Sequence, residues 1–443
     1  MRKLIFFIFI FLLLPLSSVY AEDKLASDRL IVKFRPAVSS SERLKLHRNL
    51  RSEFLQKIEN VDVDVVKGAL KDIEKTIRDY SRDPRVEYVE PDYIATAMET
   101  PNDPKLPLQW GMGKVQASGS GTTAWNITKS NSSIKIAILD TGIDQDHEDL
   151  KDKIKTNYKC ADSSPTVDDL YGHGTHVAGI AAAVTNNGIG VAGLGYDASL
   201  MNVKVLDDSG SGYYSWISNC IVWAADNGAK VINLSLGGPS KSKTLENAVN
   251  YAWNKGVVIV GAAGNSGNSS PTYPGYYTNV IAVAATDKND QKASWSSYGK
   301  WVDVAAPGVD IYSTFPNHPY TINKGSGYGY GSGTSMATPY VAGLAALVWT
   351  TPYGNSNTSV RERIEKYADK ITGTNNYWRY GRINALNSVK YESALVSSPT
   401  TTPTVTPTVT PLPTSIPATP TTEPISTPTP TPWWCHWFPS RCN

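Results

Sequence analysis

Through the middle of the chain, short apolar runs alternate with longer stretches of small residues. Ile134 to Leu139, interrupted only by Lys135, and Val257 to Val260 read as buried strands, and the first ends on the polar Asp140. Val177-Ala178-Gly179-Ile180-Ala181-Ala182 and Val341-Ala342-Gly343-Leu344-Ala345-Ala346-Leu347 read instead as buried helices made of small residues. His173 stands just before the first of these and Ser335 just before the second, so both are predicted at helix N-termini. The alternation of strands and helices is that of an α/β domain. Upstream lies a separate pattern: a strand over 29–34, a helix over 41–50, a strand over 61–67, a helix over 70–81 and a strand over 86–91.

Three short segments carry candidate chemistry: Ala137-Ile138-Leu139-Asp140-Thr141-Gly142, Gly172-His173-Gly174-Thr175-His176 and Gly333-Thr334-Ser335-Met336-Ala337-Thr338-Pro339. Each alone reads as a turn. Together they supply a carboxylate, an imidazole and a hydroxyl, the set that nucleophilic acyl transfer needs. A serine attacks a peptide carbonyl well only when a neutral imidazole takes its proton, and a buried carboxylate fixes that imidazole's tautomer. Asn265, in Gly261-Ala262-Ala263-Gly264-Asn265-Ser266-Gly267, follows a predicted strand and offers an amide to an oxyanion beside the backbone N–H of Ser335. His173-Gly174-Thr175-His176 lacks the His-Glu-x-x-His spacing of zinc proteases. No Gly-x-Ser-x-Gly elbow surrounds Ser335, which argues against an esterase.

From about Pro101 to Tyr391 the chain resembles the subtilisin-family serine proteases, the subtilases. The resemblance implies a triad of Asp140, His173 and Ser335 with Asn265 as oxyanion donor. It implies a doubly wound, mainly parallel sheet flanked by helices, preceded by a small α+β, ferredoxin-like propeptide that caps the active site as an intramolecular inhibitor. Gly210, Ser211 and Gly212, with Ser235, Leu236 and Gly237, match the family's substrate-binding strands, where an extended peptide adds through its backbone. Tyr214, Ile217 and Leu236 match an apolar pocket four residues before the scissile bond. Ser235 to Gly237 and Ala262 to Gly264 would wall the first pocket, with Thr272 near its base. With no charge there, the expectation is a broad preference for apolar or aromatic residues. Lys324 to Gly331 is extra relative to the family pattern and reads either as a flap on the leaving-group side or as a surface loop.

By the same resemblance, structural calcium is the expected cofactor. Asp103, Asp149 and Asn187 match side-chain ligands of a tight site, with carbonyls from Val184, Ile189 and Val191. Hard oxygen donors suit this ion, and Gly188 and Gly190 let the loop curl around it. At a second family site Lys159 stands where a carboxylate is expected, although Asp162, Thr166 and Asp168 remain. A weak third site would use Asp303 with carbonyls of Gly275, Tyr277 and Val280, and sodium would fill it equally well.

Length and charge agree with this organisation. The chain has 443 residues and a net charge of +2, which gives no strong pull toward nucleic acid or anionic membrane. Residues 1–21 have the form of a secretory signal: Arg2 and Lys3, an apolar core from Leu4 to Leu16, then Val19-Tyr20-Ala21. The expected order is signal 1–21, propeptide 22–98, catalytic domain 99–392, Thr/Pro-rich linker 393–432 and an aromatic tail 433–443. Self-processing is expected after Ala97 or Met98. The linker is too poor in apolar bulk to fold and reads as an extended spacer. Cys160, Cys220, Cys435 and Cys442 allow three pairings, among which sequence does not choose. The expectation is a secreted monomeric endopeptidase acting on proteins or peptides, with no membrane span after signal removal and retention at the cell surface left open. The rival is an inactive subtilase scaffold that binds surfaces through its tail.

Overall fold

The computed structural model describes residues 25–68, 73–93 and 100–390. The chain divides into a unit ending at Ala394 and a second from Leu395 to Asn443, the latter outside the described residues. The signal segment, the proposed cleavage sites at Ala97 and Met98, the linker and the aromatic tail also lie outside them.

The N-terminal module runs β1 (Leu25–Phe34), α1 (Ser40–Asn49), β2 (Glu53–Ile58), β3 (Val63–Lys67), α2 (Ile73–Ser81) and β4 (Val86–Tyr93). Its antiparallel sheet has the order β2-β3-β1-β4, so two βαβ halves interleave as in a ferredoxin-like fold. Leu30, Val32, Phe34 and Val66 from the strands meet Leu46 and Tyr80 from the helices in one buried core. Ser39 caps α1 reciprocally with Glu42, satisfying donors at both ends of the helix's first turn. Strand β2 is the element the hydrophobic pattern misses. All six of its residues are exposed, so no buried face marks it.

The larger module begins with the short helices α3 (Trp110–Lys114) and α4 (Ala124–Ile127) and continues through β5 (Lys135–Asp140), β6 (Ile154–Lys159), α5 (His173–Ala182), β7 (Ser199–Lys204), α6 (Tyr214–Asp226), β8 (Val231–Leu234) and α7 (Lys243–Asn254). Then come β9 (Val258–Ala262), β10 (Ile281–Thr286), β11 (Val304–Pro307), β12 (Ile311–Thr314), β13 (Tyr328–Gly331), α8 (Thr334–Trp349), α9 (Asn357–Lys366), β14 (Gly381–Arg382) and α10 (Ala385–Val389). Eight strands form a parallel sheet in the order β14-β11-β10-β9-β8-β5-β7-β6. The buried small residues of α5 and α8 pack on one face, and Ile217, Ile221, Leu245 and Val249 of α6 and α7 pack on the other. Small side chains let α5 and α8 approach each other and the sheet closely. A Cβ added to Gly343 of α8 would lie 2.9 Å from the Ala181 carbonyl of α5.

The chain leaves β5 toward β6 and β7 on one side, while β8 lies on the other, so the sheet's winding reverses at β5. In such sheets sites form beyond the carboxyl ends of the strands at that reversal. A disulfide joins Cys160, just past β6, to Cys220 in α6. Cys435 and Cys442 lie outside the described residues.

Candidate active site

Asp140 ends β5, fully buried, at the carboxyl edge of the sheet. Its Oδ1 accepts from His173 Nδ1 at 2.7 Å and from the Thr141 N–H at 2.8 Å. His173 is the first residue of α5. Contact between the first turn of that helix and the loop after β5 sets the pair's distance: a Cβ on Gly174 would stand 2.1 Å from the Gly142 carbonyl oxygen. Only glycine fits there. Burial opposes the imidazolium of His173, but the Asp140 carboxylate, and more weakly Asp169, outweigh it and hold the pKa above its ordinary 6.5.

Asp169 is a site residue that the sequence reading passes over. Its buried carboxylate accepts from the Thr141 hydroxyl at 2.7 Å, the Gly172 N–H at 2.7 Å, the Thr175 N–H at 2.8 Å and the Thr175 hydroxyl at 2.7 Å. It thereby ties the loop after β5 to the start of α5. Burial pushes its carboxyl up, while these hydrogen bonds pull it down. The available signal was an acidic residue shortly before a helix whose first turn needs acceptors.

Ser335 is the second residue of α8, where the first-turn N–H groups have no partner within the helix. Its hydroxyl donates to the Ser235 carbonyl at 3.1 Å. In return the Ser235 hydroxyl donates to the Ser335 carbonyl at 2.8 Å and accepts from Asn233 Nδ2 at 3.0 Å. Among the described residues no hydrogen bond joins Ser335 to His173. Such bonds are commonly loose before substrate arrives and tighten in the complex. Asn265 Oδ1 accepts from both the N–H and the hydroxyl of Thr334, each at 2.9 Å. That fixes which end of the amide is oxygen and leaves Nδ2 as a donor on the exposed side. Thr334, buried and unmarked by the sequence reading, is what orients it.

A cavity of about 440 Å³ opens beside His173, lined by Gly210, Gly212, Tyr214, Ile217, Leu236 and Gly237 among others. Ser211 and Ser235 also line it, as do Thr141, Tyr171 and Leu206, which the sequence reading did not single out. Not every predicted strand group is open. The Gly210 N–H donates to the Asp207 carbonyl and the Ser211 carbonyl accepts from the Asp207 N–H. Among the described residues the N–H groups of Gly212 and Gly237 make no hydrogen bond. Thr272 sits between the first pocket's walls: a Cβ on Gly237 would be 2.6 Å from its methyl and one on Gly264 2.7 Å from its hydroxyl. Tyr328–Gly331, in the extra segment, is not a free loop but the strand β13, paired with β12.

The three proposed cation sites differ. Asp103 and Asp149 are buried and form no ion pair among the described residues. Burial raises both carboxyls, and with smaller contributions from Asp103 and Glu148 that of Asp149 reaches about 7. Asn187 Nδ2 donates to Asp149 Oδ1 at 2.8 Å, and a Cβ on Gly190 would fall 2.1 Å from Asp149 Oδ2. An uncompensated, oxygen-rich loop of this kind fits a hard divalent cation. At the second site the Lys159 ammonium, which stands in place of a carboxylate, donates to the Ser164 carbonyl. At the weak third site an arginine stands beside the carboxylate. Arg361 pairs with Asp303 at 3.2 Å and donates to the Thr278 carbonyl at 2.6 Å, and Arg379 adds a contact to Asp303 at 3.8 Å. A cation held by Asp303 with the carbonyls of Gly275, Tyr277 and Val280 would therefore share that carboxylate with a guanidinium.

The profile of the Subtilase family matches residues 131–382, and that of the Fervidolysin N-terminal prodomain matches residues 18–92. Thermitase of Thermoactinomyces vulgaris is 52% identical over 293 residues, covering 66% of this chain and 100% of that protein. The Thermophilic serine proteinase of Bacillus sp. (strain AK1) is 45% identical over 362 residues, covering 82% of this chain and 87% of its own. Among solved structures, a protease from Pseudoalteromonas arctica aligns with a TM-score of 0.60 at 34% identity, over 66% of this chain and 99% of that one. With its parallel sheet, its N-terminal prodomain and its Asp, His and Ser segments in that order, the chain belongs to the subtilase family and is a subtilisin-like serine endopeptidase.

Proposed function

We propose that the chain is a secreted, calcium-stabilised endopeptidase of broad specificity that cleaves through an acyl-enzyme and favours apolar side chains. The observation that carries this reading is the 2.7 Å pair of buried Asp140 and His173 at the mouth of the cavity, near the N-terminus of α8 that bears Ser335. Ser335 Oγ leaves the Ser235 carbonyl, passes its proton to His173 Nε2 and bonds to the scissile carbonyl carbon. Asp140 stabilises the imidazolium that forms. The oxyanion takes hydrogen bonds from Asn265 Nδ2 and the Ser335 N–H. His173 then protonates the leaving amine, and water reverses the sequence to free the acid.

The apolar preference is supported by Tyr214, Ile217 and Leu236 in the cavity wall and by a first pocket whose base is Thr272. The bound peptide pairs with the open N–H groups of Gly212 and Gly237. The N-terminal module acts as an intramolecular inhibitor, and self-processing follows Ala97 or Met98. Export is favoured by the apolar leader in the sequence and by the Cys160–Cys220 disulfide. Among the described residues no helix is long and apolar enough to cross a membrane. Asp103, Asp149 and Asn187 hold the calcium with the carbonyls of Val184, Ile189 and Val191, and the ion's part is structural. Nothing favours the inactive-scaffold alternative. Casein hydrolysis by Ser335→Ala tests the reading: turnover should fall about a million-fold, and near-normal hydrolysis would overturn it.

A further inference from the structure

Lys204 ends β7 with its side chain wholly buried, beside the catalytic pair, and no step of the mechanism uses it. An ammonium taken out of water is costly unless acceptors meet it. Here it donates to the Thr141 carbonyl and pairs with Asp208 Oδ1 at 2.9 Å. Those two partners belong to different halves of the site.

Thr141 joins the acid to the helix that carries the base. Its N–H donates to Asp140 Oδ1 at 2.8 Å and its hydroxyl to Asp169 Oδ1 at 2.7 Å. The same hydroxyl accepts from the Gly174 N–H at 2.9 Å, in the first turn of α5. With its carbonyl held by Lys204, every polar group of Thr141 is engaged around the Asp140–His173 pair. Asp208 lies instead in the turn that presents the substrate strand. The Asp207 N–H donates to the Ser211 carbonyl at 2.7 Å, and a Cβ on Gly212 would fall 2.3 Å from the Val205 carbonyl oxygen. Residues 207–212 therefore fold back tightly on the end of β7. The Ser164 hydroxyl donates to Asp208 Oδ1 at 3.1 Å and keeps that carboxylate turned toward the ammonium. Between the two ends, the N–H groups of Val205 and Leu206 donate to the Asp140 carbonyl at 2.9 and 3.0 Å.

We propose that Lys204 is a positioning residue that ties the acid–base pair to the strand on which the peptide lies. One ammonium holds both the loop after Asp140 and the turn that leads into Gly210, Ser211 and Gly212. A peptide seated on that strand rests on a turn joined through Lys204 to Thr141. Binding energy from residues remote from the scissile bond is thereby made available to align His173. The inference rests on the triad reading above.

Steady-state kinetics of the chain expressed in full and left to process itself test it, with active molecules counted by a covalent serine reagent on Ser335. Two substrates are compared: an extended peptide that reaches Tyr214, Ile217 and Leu236, and a single-residue ester that does not. Lys204→Met should lower kcat on the ester about 10²-fold. It should also lower the ratio of kcat/KM, peptide over ester, about tenfold. The Asp208 side chain is 31% exposed, so Asp208→Asn keeps the test available where Lys204→Met does not fold. Asp208→Asn should lower the same ratio about fivefold, add nothing once Lys204→Met is present, and be largely reversed by Asp208→Glu. An ion pair that served stability alone would lower both substrates in proportion. A ratio unmoved in Asp208→Asn, with Ser335 labelled as in the parent, would overturn this inference and leave the triad standing. Absence of the label from Ser335 in the active parent would overturn the triad reading and this inference with it.

Discussion

Each candidate catalytic side chain is aimed by a neighbour that hydrogen-bonds it. The amide of Asn265 is held by Thr334, so Asn265→Ala should lower kcat about 10²–10³-fold with little change in KM. Thr334→Val should give a smaller loss of the same kind, since Asn265 keeps its amide but loses one of two donors that aim it. Steady-state kinetics on a peptide ester separate these from a binding defect. The pH profile is a second test. His173 must start neutral, and Asp140 raises its pKa above 6.5. The acid limb of kcat/KM should therefore lie above that of a free imidazole, with activity lost as pH falls through it. Asp140→Asn should move the limb down and cut kcat about 10⁴-fold. A flat profile from mildly acid to alkaline pH would contradict the base assignment. Asp140, His173, Ser335 and Asn265 were legible as candidates in the sequence because each sits at the junction of an apolar run and a turn. Asp169 and Thr334 were not legible, because their roles lie in hydrogen bonds between segments distant along the chain.

The elements carry a different kind of constraint. Helix α5 presses its glycine Gly174 on the loop after β5, so Gly174→Ala should push His173 away from Asp140. We expect a loss of about 1–3 kcal/mol of stability and a kcat deficit larger than that loss explains, measured by denaturant unfolding beside turnover. His176, one turn further along, is wholly buried and bonded from Nε2 to the carbonyls of Ile311 at 3.1 Å and Gly329 at 3.3 Å, so it pins α5 to β12 and β13. Burial, aided by the charge of His173, depresses its pKa to about 3. The unfolded chain takes up a proton here below about 6.5 and the folded one does not until about 3. Its contribution is complete above 6.5 and fades as pH falls through that window, by up to roughly 5 kcal/mol. His176→Gln should flatten the acid limb of a stability–pH curve; an unchanged slope would refute the claim. Strands with a buried face, such as β5 and β9, were legible from their apolar runs. Strand β2 has no buried face, and the pairing of Thr321 and Ile322 with Leu170 and Tyr171 is a tertiary contact that periodicity does not encode.

For the molecule as a whole, the order of modules follows from composition, while their energetic coupling does not. The Asp103–Asp149 loop concentrates buried negative charge, so calcium removal should lower the melting temperature far more than the rate constant of the enzyme that remains folded. At a thousand times its dissociation constant the ion contributes about 4 kcal/mol. Asp149→Ala should reproduce the loss and make the protein insensitive to chelation. Lys159, already out of pattern in the sequence, and Arg361 bring positive charge near the two weaker cation sites, and the carbonyls those side chains reach, Ser164 and Thr278, are tertiary contacts that sequence does not encode. The central claim remains the triad, and the most direct measurement is covalent labelling with a serine-reactive fluorophosphonate, located by peptide mass spectrometry. The account predicts one label per active molecule, on Ser335, with activity falling in proportion to occupancy and no label on the His173→Ala variant. A label on a different serine, or full activity with Ser335 completely modified, would contradict it.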